Sequence, residues 1–186
     1  MSLFSPRTNS AASNQLLGLR VSTSIYGSPV PIVIGRNRVP GNLIWRGDWV
    51  SSPVKTGGKA GGKGSGGGKG SGQYTYSSSF IHGLCRGPIG GMPRAWQDKT
   101  PAAIPTFQSG VLGQAVWGFL TSQHPGAEAL GYSELAHADY ANFDLGTAGT
   151  IPNLTYEVDG AAQFGSGIVD SLATDAIAFV LTDPGC

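Results

Sequence analysis

Three groupings in this 186-residue chain hold residue types that can do chemistry. His82 stands three positions before Cys85, one of two cysteines. A histidine can activate a thiol nucleophile when the two side chains lie in hydrogen-bond reach and a third group orients the base. Along an extended strand these positions are about 10 Å apart and face opposite ways. The run Tyr74–Cys85 (YTYSSSFIHGLC) reads as such a strand, so His82 is expected to be a packed or hydrogen-bonded sheet histidine. His137 and Asp139 form the second grouping, at i and i+2 on one strand face, with Glu134 and Asp144 nearby. Such groups bind a metal only when ligand number and geometry allow. With no further histidine or repeated spacing there, a solvated face is the expectation. The third is Gly57–Lys63 (GGKAGGK), which satisfies the opening of a phosphate-binding loop. Gly64 occupies the place of the magnesium-binding hydroxyl, and strand rather than helix follows from Tyr74. A phosphate loop needs that helix N-terminus, so the match is a coincidence of composition. No catalytic, metal or cofactor residue is assigned on these grounds.

The elements around these residues read as β-rich. The stretch Gly57–Gly72 (GGKAGGKGSGGGKGSG) has ten glycines, three lysines and no apolar side chain larger than alanine. It cannot offset its own ordering entropy and reads as a flexible loop within 55–72. Asn42–Val50 and Gln73–Cys85 flank it, both rich in aromatic and β-branched residues, as two strands of one domain. Residues 1–15 are polar and unpatterned, and are expected to be an arm that orders only against a neighbour. Leu17, Leu19 and Val21 then alternate with Gly18, Arg20 and Ser22, predicting a half-buried strand over 16–25. Pro29–Ile34 reads as a strand starting with prolines, Gly35–Arg38 as a turn, and Val39–Trp49 as a strand interrupted at Pro40-Gly41. The layout predicted before the tract is a three-stranded meander. Arg94–Lys99 reads as a short strand into a turn, and Leu154–Val158 as a strand. Residues 100–131 read as irregular, with one short element held by two buried aromatics, Trp117 and Phe119. Tyr132–Asn142 is ambiguous between strand and helix. Near the end the period changes: Ile168, Val169, Leu172, Ala173, Ala176, Ile177, Val180 and Leu181 form a helical stripe. Ser166 suits its cap, Asp170 its first turn and Pro184-Gly185 its stop, giving a helix within 166–184. The stripe needs a surface, either the sheet or a further domain. The fold class is therefore mainly β (α+β): a twisted antiparallel sheet or β-barrel over 16–165, with a C-terminal helix.

Composition bounds the rest. Charged residues make up only 12% of the chain and glycine numbers 30, which suits a turn-rich β protein or a subunit of an assembly. No apolar run approaches the length of a membrane span. The first ten residues lack the charged start and apolar core of a signal peptide. Two cysteines, Cys85 and Cys186, make no disulfide framework, and a reducing compartment is the default. The net charge of +1 conceals a division: residues 1–97 hold eleven bases and one acid, and residues 98–186 one base and ten acids. This predicts either two faces of opposite sign, favouring contact between copies, or a mixing of both halves on one surface.

Several ordered motifs together resemble a known family. Ser24–Trp45 (SIYGSPVPIVIGRNRVPGNLIW) is similar to the opening of long-tailed bacteriophage tail-tip, or baseplate hub, proteins. That group includes the large tail protein of gene transfer agents. Gln73–Ser77 (QYTYS) after a Gly/Lys/Ser tract, Leu84–Ile89 (LCRGPI) leading to Trp96–Asp98, Leu154–Val158 (LTYEV) and the helix Thr174–Pro184 continue the likeness in order. Arg86 departs from it, standing where the family usually has an acid. The likeness spans most of residues 16–184 and corresponds to the N-terminal part of proteins that run several hundred residues further. It implies a homotrimeric β-rich hub in the virion, assembled in the host cytoplasm and closing the distal end of the tail tube. Its implied partners are the distal tail protein, the tape-measure protein and, transiently, genomic DNA. On that basis Lys55, Lys59, Lys63 and Lys69 are expected at the lumen or a subunit junction, offering charge to DNA or an acidic partner.

Two other classes compete. A tail-associated cell-wall hydrolase needs paired carboxylates or a Cys/His/Asp set in a cleft, and the acids of the C-terminal half lack clustered aromatics. A nucleic-acid-binding module using the basic half would interleave aromatics with lysines, which this chain does not do. A structural assembly protein without catalysis is the reading that the residues favour.

Overall fold

The computed structural model describes residues 27, 29–54, 73–160 and 173–182. The expected arm 1–15, the strand over 16–25, Lys55, Lys59, Lys63 and Lys69 in the tract, the helix start at 166–172 and Cys186 lie outside the described residues.

Among the described residues, eight strands and two short helices follow in chain order: β1 Arg36–Pro40, β2 Asn42–Pro53, β3 Tyr74–Arg86, β4 Gly91–Gln97, β5 Thr100–Ala102, β6 Thr106–Gln108, α1 Gly118–Gln123, β7 Leu135–Gly146, β8 Leu154–Asp159 and α2 Ala173–Thr182. They build two four-stranded sheets, ordered β1-β8-β4-β5 and β2-β3-β7-β6, with every neighbouring pair antiparallel. The sheets face each other across one core and do not close into a barrel. Val39, Met92, Ala95, Tyr156 and Val158 from one sheet meet Leu43, Tyr76, Phe80, Leu84 and Ala138 from the other. Alternation explains this arrangement, because strands of period two present one apolar face each to the space between.

The strands flanking the glycine tract pair with one another. β2 and β3 run antiparallel from Asn42↔Gly83 to Pro53↔Tyr74, and the Val54 amide donates to the Gln73 carbonyl at 2.7 Å. β2 and β3 are thus the paired arms of one hairpin. β1 and β2 are joined by Gly41 alone yet belong to different sheets, so the predicted meander is not what forms. Gly35–Arg38 is not a turn beyond Gly35: β1 starts at Arg36 because Arg36, Asn37 and Arg38 find partners in Asp159, Val158 and Glu157. Pro29–Ile34 is extended but not a strand of either sheet. Its proline nitrogens cannot donate, and Ile32 makes an isolated parallel bridge to Arg86.

Tyr132–Asn142 resolves as strand from Leu135. Residues 100–131 carry more structure than expected, namely β5, β6 and α1. Of the two aromatics there, Trp117 is buried and Phe119 half-buried. Trp117 and Leu120 pack on Ile81, forming a second, smaller apolar cluster on the outer face of the β3 sheet. In α2, Ile177, Val180 and Leu181 are exposed.

On the outer face of the β1 sheet, Arg36 donates from Nε to Asp159 Oδ1 at 2.6 Å and lies 3.8 Å from Glu157. Arg38 spans Thr155 and covers the Trp96 ring, 4.1 Å from its centroid. Antiparallel pairing of β1 with β8 brings Arg36 and Arg38 of the basic half beside Glu157 and Asp159 of the acidic half.

Candidate functional site

Among the described residues, the polar side chains with chemical potential fall in three places, two organised by β3 and β7 and one by β2. The first lies between the sheets. Tyr156 of β8, fully buried, reaches across to β3, where its hydroxyl is hydrogen-bonded to His82 Nδ1 at 2.8 Å. The hydroxyls of Tyr156 and Tyr140 are hydrogen-bonded as well. Burial holds His82 well below an ordinary histidine, at about 4, and drives Tyr156 far above an ordinary tyrosine. The imidazole is thus neutral near pH 7 and ties the two sheets together. It also fixes a glycine: a Cβ on Gly41 would lie 2.5 Å from His82 Nδ1, so the crossover between sheets passes directly against the ring. Cys85, three residues on, is fully buried, and burial pushes its thiol up to about 11. A thiol held protonated is a poor nucleophile. His82 is the packed, hydrogen-bonded sheet histidine read from the sequence.

The second place is on the opposite face of the β3 sheet. Ile81 of β3 and Asp139 of β7 are register partners there. Residues 111–134, including Trp117, Leu120 and Tyr132, lie over this face. His137 Nδ1 and Asp139 Oδ1 are 2.7 Å apart, and both side chains are buried, at 1% and 0% exposure. This corrects the expected solvated face. Spacing put the two residues on one side of a strand, but an irregular segment with no periodic signal covers that side. Burial raises the Asp139 carboxyl above its ordinary value, and the hydrogen bond and charge of His137 oppose that rise. The Tyr132 ring meets His137 edge-on at 5.5 Å, and its hydroxyl is raised by burial and by the charges of Asp139 and Glu128. Glu134 and Asp144 are exposed and take no part in the pair. Among the described residues no group of three or more His, Cys, Asp and Glu is placed to hold a metal ion.

The third place was not visible from spacing. His124, just past α1, sits 3.0 Å from Asp48 Oδ1 through Nε2 and 3.4 Å from Glu128 through Nδ1. The Trp45 indole donates to the same Glu128 carboxylate at 3.2 Å, and its ring meets His124 edge-on at 5.1 Å. Asp48 takes a positive φ of 52° at the β2 irregularity between Gly47 and Val50. That bulge turns its carboxylate toward His124, which no sequence pattern announces. The network pins the end of the 111–134 segment to β2.

Gln114 closes the base of this segment. Its Oε1 accepts from the Gly110 amide at 2.8 Å, and its Nε2 donates to the carbonyls of Gly131, Tyr132 and Leu135. The His82, His124 and Gln114 arrangements each tie one element to another, whereas the His137–Asp139 pair lies within β7. The described residues also form a cleft of about 730 Å³ at one open side of the sandwich, where Tyr140 and Phe143 of β7 face Pro101, Ile104 and Pro105.

No protein-family model matches the chain, and no curated protein does. Among solved structures, a chain of the virion of a native gene transfer agent particle is similar, with a TM-score of 0.54 at 22% identity. The match covers 98% of this chain and 37% of that one, so this chain spans little more than a third of its neighbour's length. At this identity the likeness is one of fold: the two-sheet architecture described above also occurs in a virion component.

Proposed function

We propose that the protein is a structural component of a virion's tail tip, a hub subunit that closes the distal end of the tail tube. The observation that carries this reading is the fold shared over 98% of the chain with a chain of a gene transfer agent virion. The ordered motifs from Ser24 to Pro184 support it independently, since they resemble hub proteins of long-tailed phages. The polar networks fit as well. They join sheet to sheet and segment to strand, which suits a part whose work is geometric.

In this reading the β-rich body forms a trimeric ring below the distal tail protein and around the end of the tape measure. It has no catalytic task. The hairpin tip at 55–72 brings Lys55, Lys59, Lys63 and Lys69 to the channel or a subunit junction, where their charge meets DNA or an acidic neighbour without needing fixed structure. Particles purified from cells that make the chain should contain it, and cells lacking it should make particles without closed, DNA-retaining tails. Normal, infective tails without the chain refute the proposal. So does its absence from purified particles.

A further inference from the structure

The open side of the sandwich offers an unpaired strand edge beside an apolar cleft. β6 covers β7 only at His137, Ala138 and Asp139. From Tyr140 to Gly146, β7 has β3 on one side and no strand on the other among the described residues. A long bare edge of this kind is a template for another strand. β6 cannot be continued to fill it: Pro105 precedes Thr106, and the chain turns away there through Ile104 to β5. The adjoining cleft is lined by Pro101, Ile104, Pro105, Tyr140 and Phe143, and Ile104 is half exposed. Its volume of about 730 Å³ is in the range that takes up several apolar groups.

We propose that this edge is an interface that receives residues Leu16–Ile25 of a second copy of the chain as an added strand, antiparallel to β7. The segment has the pattern such a site requires. Leu17, Leu19 and Val21 recur every second residue and would enter the cleft, while Gly18, Arg20 and Ser22 face out. Charge agrees with this orientation: Arg20 is basic, and Asp144 is exposed on the outward side of β7.

Reach decides between the same copy and another. The Arg86 amide donates to the Pro31 carbonyl at 2.9 Å. This fixes Pro31 beside the end of β3, on the side away from β7. From Pro31 back to Ile25 the chain extends at most about 21 Å. The nearest free position on the β7 edge is Tyr140, whose register partner is Phe80, six residues before Arg86. Six residues along the strand and three strand spacings across it separate the two points by about 25 Å. A straight path between them would also pass through the sheet. The segment that fills the edge therefore comes from a neighbour.

Sedimentation and amide hydrogen exchange on the full chain test this. The chain should form an assembly larger than its 19.1 kDa monomer. Outward amides of Ala141–Leu145 should exchange roughly tenfold or more slowly in the assembly than in a L17E/L19E/V21E variant. That variant should sediment as a monomer with β3 still protected. If it does not fold, a charge exchange serves as arbiter: R20E should weaken assembly by roughly two- to fivefold, and D144R should restore it in the R20E chain. A monomeric wild-type chain overturns the proposal, as does equal edge exchange in both chains or failure of the rescue. A protected edge in a monomer overturns it too, by making the occupant the chain's own segment.

Discussion

Acid should loosen the join between the two sheets, and His82 should account for a defined share of the loss. Its imidazole is 1% exposed and hydrogen-bonded to Tyr156, and burial lowers it from 6.5 to about 4. The unfolded chain takes up a proton near pH 6.5 and the folded chain only near 4, so the unfolded state binds more protons throughout that window. Stability from this residue is complete above pH 6.5 and is lost as the pH falls toward 4. At about 1.4 kcal/mol for each pH unit of separation, the full loss is about 3 kcal/mol. That is a large part of the 5–15 kcal/mol typical of a domain. Urea unfolding of the wild type and of H82Q from pH 7.5 to 4 measures it. Glutamine keeps an acceptor for the Tyr156 hydroxyl but does not titrate. The variant should start less stable and lose about 3 kcal/mol less than the wild type over the range. Parallel losses in the two proteins would refute the reasoning, since the acid sensitivity would then arise elsewhere.

Further outcomes follow from the same contacts. Gly41→Ala places a Cβ against the His82 ring and should cost about 1–3 kcal/mol in thermal unfolding. In an H82A background, which frees the space, the cost should shrink. Removing one member of the buried His137–Asp139 pair, as in H137L, should cost about 3–5 kcal/mol, whereas H137L/D139L should cost markedly less; denaturant melts of the three chains decide this. Because the Asp139 carboxyl is raised by burial, its contribution is fully present below its ordinary value of 3.8 and is lost as the pH rises through its raised value. D139N should therefore flatten that part of the stability profile. Cys85, buried and raised to about 11, should resist thiol reagents at pH 8 in a C186S chain until denaturant is added, which a labelling time course reads directly.

Much of the sheet was legible because its signals are local. Aromatic and β-branched runs on either side of the glycine tract mark β2 and β3, and clean alternation marks β8. What was lost depends on distant partners. Arg36–Arg38 after Gly35 has turn composition, yet it is a strand because Asp159 and Glu157, some 120 residues on, offer pairing and charge. Residues 100–131 hid three short elements because prolines and glycines interrupt them and three-residue strands carry no period. That same segment misled the reading of His137 and Asp139. Spacing specifies which residues share a face but not what packs on it. His124 was missed for a related reason: its partners Asp48 and Glu128 come from a bulge and a loop, and neither has a sequence signature.

The claim that the chain serves as a tail-tip component is tested most directly by cryo-electron microscopy of intact particles in which it bears a labelled epitope. Label at the distal end of the tail, in a ring around the channel axis, is the predicted result. Label on the capsid shell or along the tube, or none on the particle, would contradict it.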